Sequence, residues 1–306
     1  MKCNICKEKA EIKLNHHNLK ICKNCFVEFF KKKVERTIKD LKLFGREENL
    51  LLAVSGGKDS MSLWYLLLNL GYKVDGLYID LGIENISNKA KEKIIEFKKN
   101  FKSNLNLVDV KKEIGLSFAQ LMNFTKRAPC SLCGLLKRYI FNNFAIKNNY
   151  DAIVTGHNLD DEASALFKNV LRWDLAYFGR QAPLLEKMDG FAKKVKPYIF
   201  CYEKETLLYA TILNIPHLKE ACPYSKNAKN GSIKKAFHII EESSPSIIQN
   251  FMKSFLKVRK HFIPMREEEL KNFVKRCKIC GYPTNREKCA LCTILERVKN
   301  ENSTCQ

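Results

Sequence analysis

Residues 50–60 read Leu50-Leu51-Leu52-Ala53-Val54-Ser55-Gly56-Gly57-Lys58-Asp59-Ser60. The first five residues are continuously apolar, which is typical of a strand buried on both faces of a parallel sheet. The apolar segment 61–70 follows and is predicted to be a helix. Two glycines let the backbone turn sharply, so that successive N–H groups can bind an anion at the helix N-terminus. The segment therefore predicts a phosphate-binding loop, although its spacing differs from that of a Walker A loop.

Further strands and helices alternate along the chain after this loop. Strands are predicted at residues 74–79, 105–110 and 152–155. The segments between them are predicted to be helices, one of them at residues 135–147, and residues 196–262 are mostly helical. This alternation predicts an α/β fold, a doubly wound parallel sheet that binds ligands at the carboxyl ends of its strands.

The chain contains 13 cysteines, which in a reducing compartment indicate metal binding or thiol chemistry rather than disulfides. Each end of the chain carries two C-x2-C pairs, and two such pairs complete the tetrahedral shell of a structural zinc ion. The two predicted zinc sites consist of Cys3, Cys6, Cys22 and Cys25 and of Cys277, Cys280, Cys289 and Cys292.

These pairs also divide the chain into three parts. We expect an N-terminal zinc module at residues 1–26, a catalytic domain with a preceding basic helix at residues 27–262, and a C-terminal zinc module at residues 263–306. Because four thiolates already saturate a zinc ion, His16 and His17 in the first module are interpreted as surface residues.

A third group of cysteines differs from the first two. Cys130 and Cys133 form one pair, and Cys222 follows at a distance in the dipeptide Cys222-Pro223. Three thiolates can hold an iron–sulfur cluster with one iron left open, or act as a redox pair with a nucleophile, and spacing does not choose between these. Cys201 lies in an apolar stretch and is expected to be a buried, inert thiol, whereas Cys305 is unassigned.

The overall composition excludes several classes of protein. A hydrophobic content of 45% supports a buried core and excludes a disordered chain. The N-terminus lacks the apolar stretch of a signal peptide, and no apolar run reaches the ~20 residues of a membrane span, so we expect a soluble, cytoplasmic protein.

The net charge of +21 indicates a polyanionic partner, with a generally lysine-rich composition as the alternative. The helix predicted after the first zinc module has a basic face formed by Lys31, Lys32, Lys33, Arg36 and Lys39.

Several segments together resemble a known family. Residues 55–60 resemble the PP-loop of the N-type ATP pyrophosphatases. With residues 130–139, residues 155–163, Cys222-Pro223 and a zinc module at each end, nearly the whole chain resembles the tRNA 2-thiouridine synthetases. This family includes the TtuA group and the wobble-uridine thiolases, and residues 134–139 are more similar to the TtuA group.

The resemblance implies a two-step reaction with ATP and Mg²⁺. Uridine O2 attacks the α-phosphorus of ATP and releases pyrophosphate; sulfide then attacks C2, and AMP departs. Lys58 would offset charge on the pyrophosphate, and Lys137 would reach the α-phosphate or the activated oxygen. Asp161 would hold Mg²⁺ or the nucleotide, with Asp160 and Glu162 as less favoured candidates and helix capping as the alternative role of all three. Asp59 would orient Mg²⁺ or Lys58. The implied nucleotide-binding residues are Ala53, Val54, Ser55, Gly56, Gly57, Lys58, Asp59, Ser60, Tyr78, Ile79, Gly156 and Asp161.

Sulfur insertion is assigned by the same resemblance to the third cysteine group. In the family, the cysteines that match Cys130, Cys133 and Cys222 bind a 4Fe-4S cluster whose free iron holds the incoming sulfur. A persulfide relay between Cys130 and Cys222, both of them implied catalytic residues, needs the same side chains and stays an alternative.

The resemblance also implies partners: tRNA modified at the T-loop uridine (position 54), a ubiquitin-like thiocarboxylated carrier protein as sulfur donor, and a second copy of the chain in a homodimer. The expected tRNA contacts are the lysines of residues 31–39 and Lys271, Lys275 and Arg276. Three other functions stay open at this point. They are wobble-uridine thiolation, a PP-loop ligase that leaves the third cysteine group unused, and a non-catalytic zinc-module RNA-binding protein that leaves the phosphate loop unused.

Overall fold

The computed structural model describes residues 1–173, 175–227, 230–263 and 275–304. Within these ranges a six-stranded sheet is covered by helices on both faces, and a four-cysteine module lies near each end of the chain. None of the described helices is long and apolar enough to cross a lipid bilayer.

Strands and helices alternate through the central part of the chain. The strands are β1 (Ile12–Leu14), β2 (Leu19–Ile21), β3 (Leu50–Val54), β4 (Val74–Asp80), β5 (Leu105–Asp109), β6 (Ala152–Val154), β7 (Leu184–Leu185), β8 (Lys193–Val195), β9 (Lys275–Arg276) and β10 (Pro283–Thr284). The α-helices are α1 (Lys23–Asp40), α2 (Lys58–Asn69), α3 (Ile86–Lys98), α4 (Val110–Ile114), α5 (Phe118–Asn123), α6 (Pro129–Lys147), α7 (Leu159–Val170), α8 (Leu175–Arg180), α9 (Glu203–Ile212), α10 (Asn230–Ser243), α11 (Ile247–Val258) and α12 (Ala290–Thr304).

The central sheet has the strand order β5-β4-β3-β6-β8-β7. Neighbouring strands are parallel from β5 to β8, and the edge strand β7 is antiparallel to β8. The connections diverge between β3 and β6, which leaves a crevice at the carboxyl ends of these two strands. The sheet confirms the predicted α/β fold and places the loop of residues 55–60 at the edge of this crevice.

Two features of this architecture were not predicted. Strands β7 and β8 contain two and three residues, and no apolar run marks them in the sequence. Helix α6 begins at Pro129, six residues before the predicted start, because proline favours the first position of a helix. Cys130 and Cys133 therefore lie three residues apart at the N-terminal end of α6.

Alternate residues of β3 face two separate cores. Leu50 and Leu52 are fully buried among apolar residues of α1, α2 and α9. Leu51 is fully buried on the other face, with residues of α6 and of the C-terminal cysteine module. In this second core the rings of Tyr139 and Tyr282 lie 4.8 Å apart. Both cysteine modules are thus packed against the catalytic domain, and the predicted boundary between residues 26 and 27 falls inside α1.

His16 and His17 are not surface residues, contrary to the prediction. His16 is 5% exposed, and its Nε2 lies 3.1 Å from Glu205 Oε1. His17 Nε2 lies 2.8 Å from the same oxygen, and Lys33 Nζ lies 2.6 Å from the other one. Burial alone raises the pKa of Glu205, but Lys33 and the two histidines hold it well below its usual value. The cysteine spacing contains no sign of this contact, because Glu205 lies 188 residues after His17.

We predict that Glu205→Gln strongly destabilises the protein. Lys33 would keep a buried positive charge without a counter-ion, a change that costs about 3–5 kcal/mol. The urea concentration at the midpoint of unfolding of the metal-loaded protein should fall accordingly. Glu47→Gln is the control, because Glu47 pairs with Lys73 at an exposed position. Equal urea midpoints for the two variants would show that the buried contact between Glu205 and Lys33 does not stabilise the fold.

Candidate active site

A cavity of about 790 Å³ opens at the carboxyl ends of β3 and β6. Its walls are the loop after β3, the loop after β6, the side of α6, and the turn of the C-terminal module around β10. The predicted site residues that line it are Ala53, Val54, Ser55, Asp59, Ser60, Ile79, Lys137, Gly156 and Asp161. The cavity therefore joins eight of the twelve predicted nucleotide residues to Lys137 of α6. The other four do not line it: Gly56, Gly57, Lys58 and Tyr78.

The loop of residues 55–60 is held by its own serines. The Ser55 N–H donates to Ser60 Oγ at 3.1 Å, and the Ser60 hydroxyl donates to the Gly57 carbonyl at 3.0 Å. Gly56 has a φ of +80°, and a Cβ there would lie 2.9 Å from the Cβ of Ala90, so only glycine fits. Gly57 is the N-cap of α2, which leaves the first N–H groups of the helix free to bind an anion.

The loop after β6 approaches the phosphate-binding loop most closely at Gly156. A Cβ at this position would lie 3.0 Å from the carbonyl carbon of Asp59 and 3.0 Å from the backbone nitrogen of Ser60. Backbone atoms cannot rotate away as a side chain can, so a larger residue would push the two loops apart. The absence of a side chain at Gly156 sets the width of the crevice.

Lys58 and Asp59 are held by the N-terminus of α9. Lys58 Nζ lies 2.9 Å from Asp59 Oδ2 and 2.9 Å from Glu203 Oε1. The Thr206 hydroxyl donates to Asp59 Oδ1. Burial lowers the pKa of Lys58, but the two carboxylates outweigh this effect and raise it. Lys58 therefore stays protonated, and Asp59 orients it, which is one of the two roles expected for Asp59.

The three acidic residues after β6 have different surroundings. Asp160 is buried and accepts a backbone N–H of α9 at 2.7 Å, and burial raises its pKa. Glu162 is buried and lies 2.6 Å from Lys196 Nζ. Asp161 lines the cavity and also forms a capping box with Asn158. The capping role considered for Asp161 is therefore present, and of these three acids it is the one that lines the cavity.

Residues of α9 and α10 complete the site without any signal from a sequence motif. Lys234 Nζ lies 2.5 Å from Asp161 Oδ1 and 3.0 Å from Glu203 Oε2. Burial opposes ionisation of Glu203, but Lys58 and Lys234 lower its pKa to about 2. Glu203 thus bridges the two lysines. It could have been noticed only as an acidic residue in the first turn of a helix, a position that usually indicates capping.

Cys130, Cys133 and Cys222 come together at the N-terminal end of α6. The Cys130 thiol donates to the Tyr224 carbonyl at 3.4 Å, which ties α6 to the turn after Cys222. Burial raises the pKa of Cys133, Lys137 lowers it, and Cys222 and Cys130 raise it, so these groups lie within electrostatic range of one another. Among the described residues, these three sulfur atoms do not all lie within 4.8 Å of one another. The three thiols are therefore less compactly arranged than the sulfur atoms of the two four-cysteine groups.

The eight terminal cysteines form two more compact groups. Within each group the four Sγ atoms lie within 4.8 Å of one another. The Sγ atoms of Cys6 and Cys22 are 3.6 Å apart, and those of Cys280 and Cys289 are 3.7 Å apart. A tetrahedral ion with Zn–S bonds of about 2.3 Å places its ligands ~3.8 Å apart. Both groups therefore have the geometry of a four-cysteine zinc site.

Tyr78 does not line the cavity, contrary to expectation. Its side chain is buried on the opposite face of the sheet, and its hydroxyl donates to the Ser87 carbonyl at 3.0 Å. Successive residues of a strand point to opposite faces, so Ile79 faces the cavity and Tyr78 faces away from it. Cys201 is fully buried, as predicted, and burial raises the pKa of its thiol.

The expected RNA contacts are only partly available. Lys33 is engaged with a buried carboxylate of α9, so it is not part of an RNA-binding face. Lys275 and Arg276 are exposed on the C-terminal module. Lys271 and Cys305 lie outside the described residues.

Comparison with known proteins places this architecture in a family. Residues 27–174 match the family model of the PP-loop domain. The sequence is 44% identical to the tRNA-5-methyluridine(54) 2-sulfurtransferase of Thermotoga maritima, over 99% of each chain. The chain belongs to this sulfurtransferase family. The match extends over both cysteine modules as well as the PP-loop domain.

Two relatives within the wider group of tRNA thiolases are more distant. Cytoplasmic tRNA 2-thiolation protein 1 of Candida glabrata is 29% identical over 99% of this chain and 87% of its own length. The structure of the U34-tRNA thiolase NcsA from Methanococcus maripaludis, with its [4Fe-4S] cluster, is 27% identical. It superimposes with a TM-score of 0.77 over 97% of this chain and 96% of that one. The sulfurtransferase thus shares the complete thiolase architecture.

We predict that Gly156→Ala weakens nucleotide binding. The added methyl group displaces the loop of residues 55–60, and the affinity for a non-hydrolysable ATP analogue should fall by about tenfold. Calorimetric titration measures this affinity. Gly231→Ala is the control, because a Cβ at Gly231 meets no atom within 4 Å. If both variants bind the analogue as tightly as the unchanged protein does, the width of the crevice does not depend on the absence of a side chain at Gly156.

Proposed function

We propose that the protein replaces O2 of the T-loop uridine at position 54 of tRNA by sulfur after activating that oxygen with ATP. The observation that carries this proposal is the position of Lys137. Its side chain lines the cavity beside the phosphate-binding loop, and it interacts with Cys133 of the three-cysteine group. One residue thus connects the site of activation to the site of sulfur delivery. A PP-loop ligase would not need these cysteines, and a non-catalytic RNA-binding module would not need the cavity.

The choice of position 54 over the wobble position is supported by sequence similarity. Identity is 44% to the relative named for 5-methyluridine 54. It is 27% to the thiolase named for uridine 34. The two groups share the fold, and the higher identity favours position 54.

In the activation step a bond forms between uridine O2 and the α-phosphorus, and the bond from phosphorus to the bridging oxygen breaks. Pyrophosphate leaves with that electron pair, so negative charge grows on its oxygens. The N–H groups of residues 55–60 and the Lys58 ammonium offset this charge. Lys58 exchanges its contact with Glu203 for phosphate when the nucleotide binds.

Asp161 is our candidate for Mg²⁺ binding. Carboxylate oxygens and phosphate oxygens are the usual ligands of this ion, and Asp161 faces the cavity. Lys234 neutralises Asp161 in the nucleotide-free protein. Mg²⁺ would therefore take the place of the Lys234 ammonium group beside Asp161, and Lys234 would keep its contact with Glu203.

Cys130, Cys133 and Cys222 would hold a 4Fe-4S cluster. Three thiolates fit a cluster in which one iron has no protein ligand, and in the described part of the chain the other cysteines lie in the zinc modules or in the core at Cys201. When bound, the cluster supplies an open iron site for the sulfur atom. The chain itself positions Cys130 through the Tyr224 carbonyl. Burial raises the pKa of the Cys133 thiol, and Lys137 partly offsets this effect.

The remaining parts of the proposal concern zinc, partners and location. We propose one structural zinc ion in each four-cysteine module, since four thiolates leave no open position for catalysis. A ubiquitin-like thiocarboxylated sulfur carrier, a homodimer and the three-part division of the chain rest on the family resemblance. A cytoplasmic location is supported by the name of the Candida glabrata relative.

We predict that Lys58→Ala and Cys222→Ser separate the two steps. Lys58→Ala removes the cation at the leaving group and should lower pyrophosphate release in the presence of tRNA by about 100-fold or more. Cys222→Ser should keep that release and abolish 2-thiouridine, measured by mass spectrometry of tRNA nucleosides. Lys73→Ala, an exposed lysine paired with Glu47, is the control and should retain both activities. Loss of pyrophosphate release in a folded Cys222→Ser variant would contradict this division.

Metal analysis tests the cofactor assignment separately. The protein purified without oxygen should contain zinc in both terminal modules together with iron and sulfide. Cys277→Ser should lose zinc from the C-terminal module and keep iron, whereas Cys222→Ser should keep zinc and lose iron. A colourless, iron-free protein with full thiolation activity would contradict the cluster and favour the persulfide relay.

A further inference from the structure

Arg138 and Lys194 place two positive charges in the cavity that the reaction described above does not use. Arg138 lies on α6 directly after Lys137, and Lys194 lies on β8; both side chains line the cavity. In the sheet, β8 is two strands away from β3, the strand that carries the phosphate-binding loop. At a strand spacing of ~4.8 Å this separates the two strands by roughly 10 Å. Lys194 therefore belongs to a different wall of the cavity from the phosphate-binding loop, and Arg138 lies close enough to Lys194 to lower its pKa.

Neither cation has a counter-ion within the part of the chain that the structure describes. Other lysines of the same segment do: Lys193 Nζ lies 2.9 Å from Glu48 Oε2, and Lys196 Nζ lies 2.6 Å from Glu162 Oε2. Lys194 and Arg138 make no ion pair or side-chain hydrogen bond with any described residue. Lys194 is partly buried, whereas Arg138 is exposed to solvent. A partly enclosed ammonium group without a counter-ion is unfavourable, so Lys194 with Arg138 beside it indicates a site for an anion.

The electrostatics of Lys194 agree with this view. Burial and the charge of Lys196 lower its pKa, Glu162 partly opposes them, and Arg138 lowers it further, to about 8 in total. The surroundings of Lys194 thus carry a surplus of positive charge, which a bound anion would neutralise.

We propose that Arg138 and Lys194 bind a phosphate group of the RNA backbone next to the target uridine. This inference rests on the proposed function. The phosphates of ATP already have the donors of residues 55–60, whereas the uridine enters the cavity with a phosphodiester on each side. A guanidinium group binds phosphate through two parallel hydrogen bonds, and an ammonium group adds a point charge. Because Arg138 follows Lys137, a uridine held beside Lys137 brings its backbone close to this pair.

The test measures binding of an RNA hairpin with the sequence of a tRNA T arm, without ATP, as a function of salt concentration. Lys194→Met should weaken binding and reduce the slope of log K against log[salt] by about 0.7–0.9, the loss of one phosphate contact. Lys194→Arg should restore both affinity and slope. Lys193→Met is the matched control, because Lys193 is the adjacent lysine on β8 but pairs with Glu48 outside the cavity. It should leave the slope unchanged.

The pH dependence supplies a second readout. The hairpin affinity of the unchanged protein should fall as the pH rises through about 8, because the free Lys194 loses its proton there. Lys194→Arg stays charged and should bind without this fall. The other groups that face Lys194 are Arg138, Lys196, Glu162 and His157; burial lowers the pKa of His157 from 6.5, so it titrates below this range.

Two outcomes would overturn the inference. If Lys194→Met keeps hairpin affinity and slope but loses affinity for a non-hydrolysable ATP analogue, the phosphate bound here belongs to the nucleotide. If both affinities stay unchanged, there is no anion site at this pair. Failure of the unchanged protein to bind the hairpin at all would instead contradict the proposed function, and the inference with it.

Discussion

Two glutamates in the first turn of α9 connect the N-terminal module to the phosphate-binding loop. Glu205 is fully buried. It accepts hydrogen bonds from His16 and His17, which lie between β1 and β2, and from Lys33 of α1. Glu203 lies two residues earlier and contacts Lys58 at 2.9 Å. The contacts of Glu205 with the N-terminal module and of Glu203 with the phosphate-binding loop both start from this one turn of α9. A shift of α9 would therefore move the loop and the module together. The first cysteine module is thus a structural support of the active site.

The acid–base pairs at the cavity form an alternating series. Lys58, Glu203, Lys234 and Asp161 follow one another at distances of 2.9, 3.0 and 2.5 Å. Each charge is neutralised before the nucleotide binds, which makes the partly buried residues tolerable without ligand. ATP with Mg²⁺ supplies charges of both signs and can therefore replace the two outer contacts of the series, with phosphate at Lys58 and the ion at Asp161, while the contact between Glu203 and Lys234 stays. The proposed RNA subsite differs, because its cations have no protein partner among the described residues.

Local patterns in the sequence predicted those parts of the structure that depend on local spacing. The strand, glycines and lysine of residues 50–60 predicted the loop, and paired cysteines predicted the two compact groups, because both depend on backbone geometry within a few residues. Contacts between distant segments were not predictable in this way. His16 was assigned to the surface because its partner Glu205 lies on another helix, and Lys234 has no motif. Tyr78 was misplaced because the side-chain alternation of β4 was not considered.

In the proposed reaction, uridine O2 becomes an oxygen of AMP before sulfur replaces it. The most direct measurement uses a tRNA whose target uridine carries a heavy oxygen isotope at O2, incubated with the metal-loaded protein, ATP and sulfide without oxygen. Mass spectrometry then follows the label in released AMP and the 2-thiouridine in the tRNA. One labelled AMP is expected for each thiolated uridine, because O2 leaves with the phosphate. Thiolated tRNA accompanied by unlabelled AMP would contradict it.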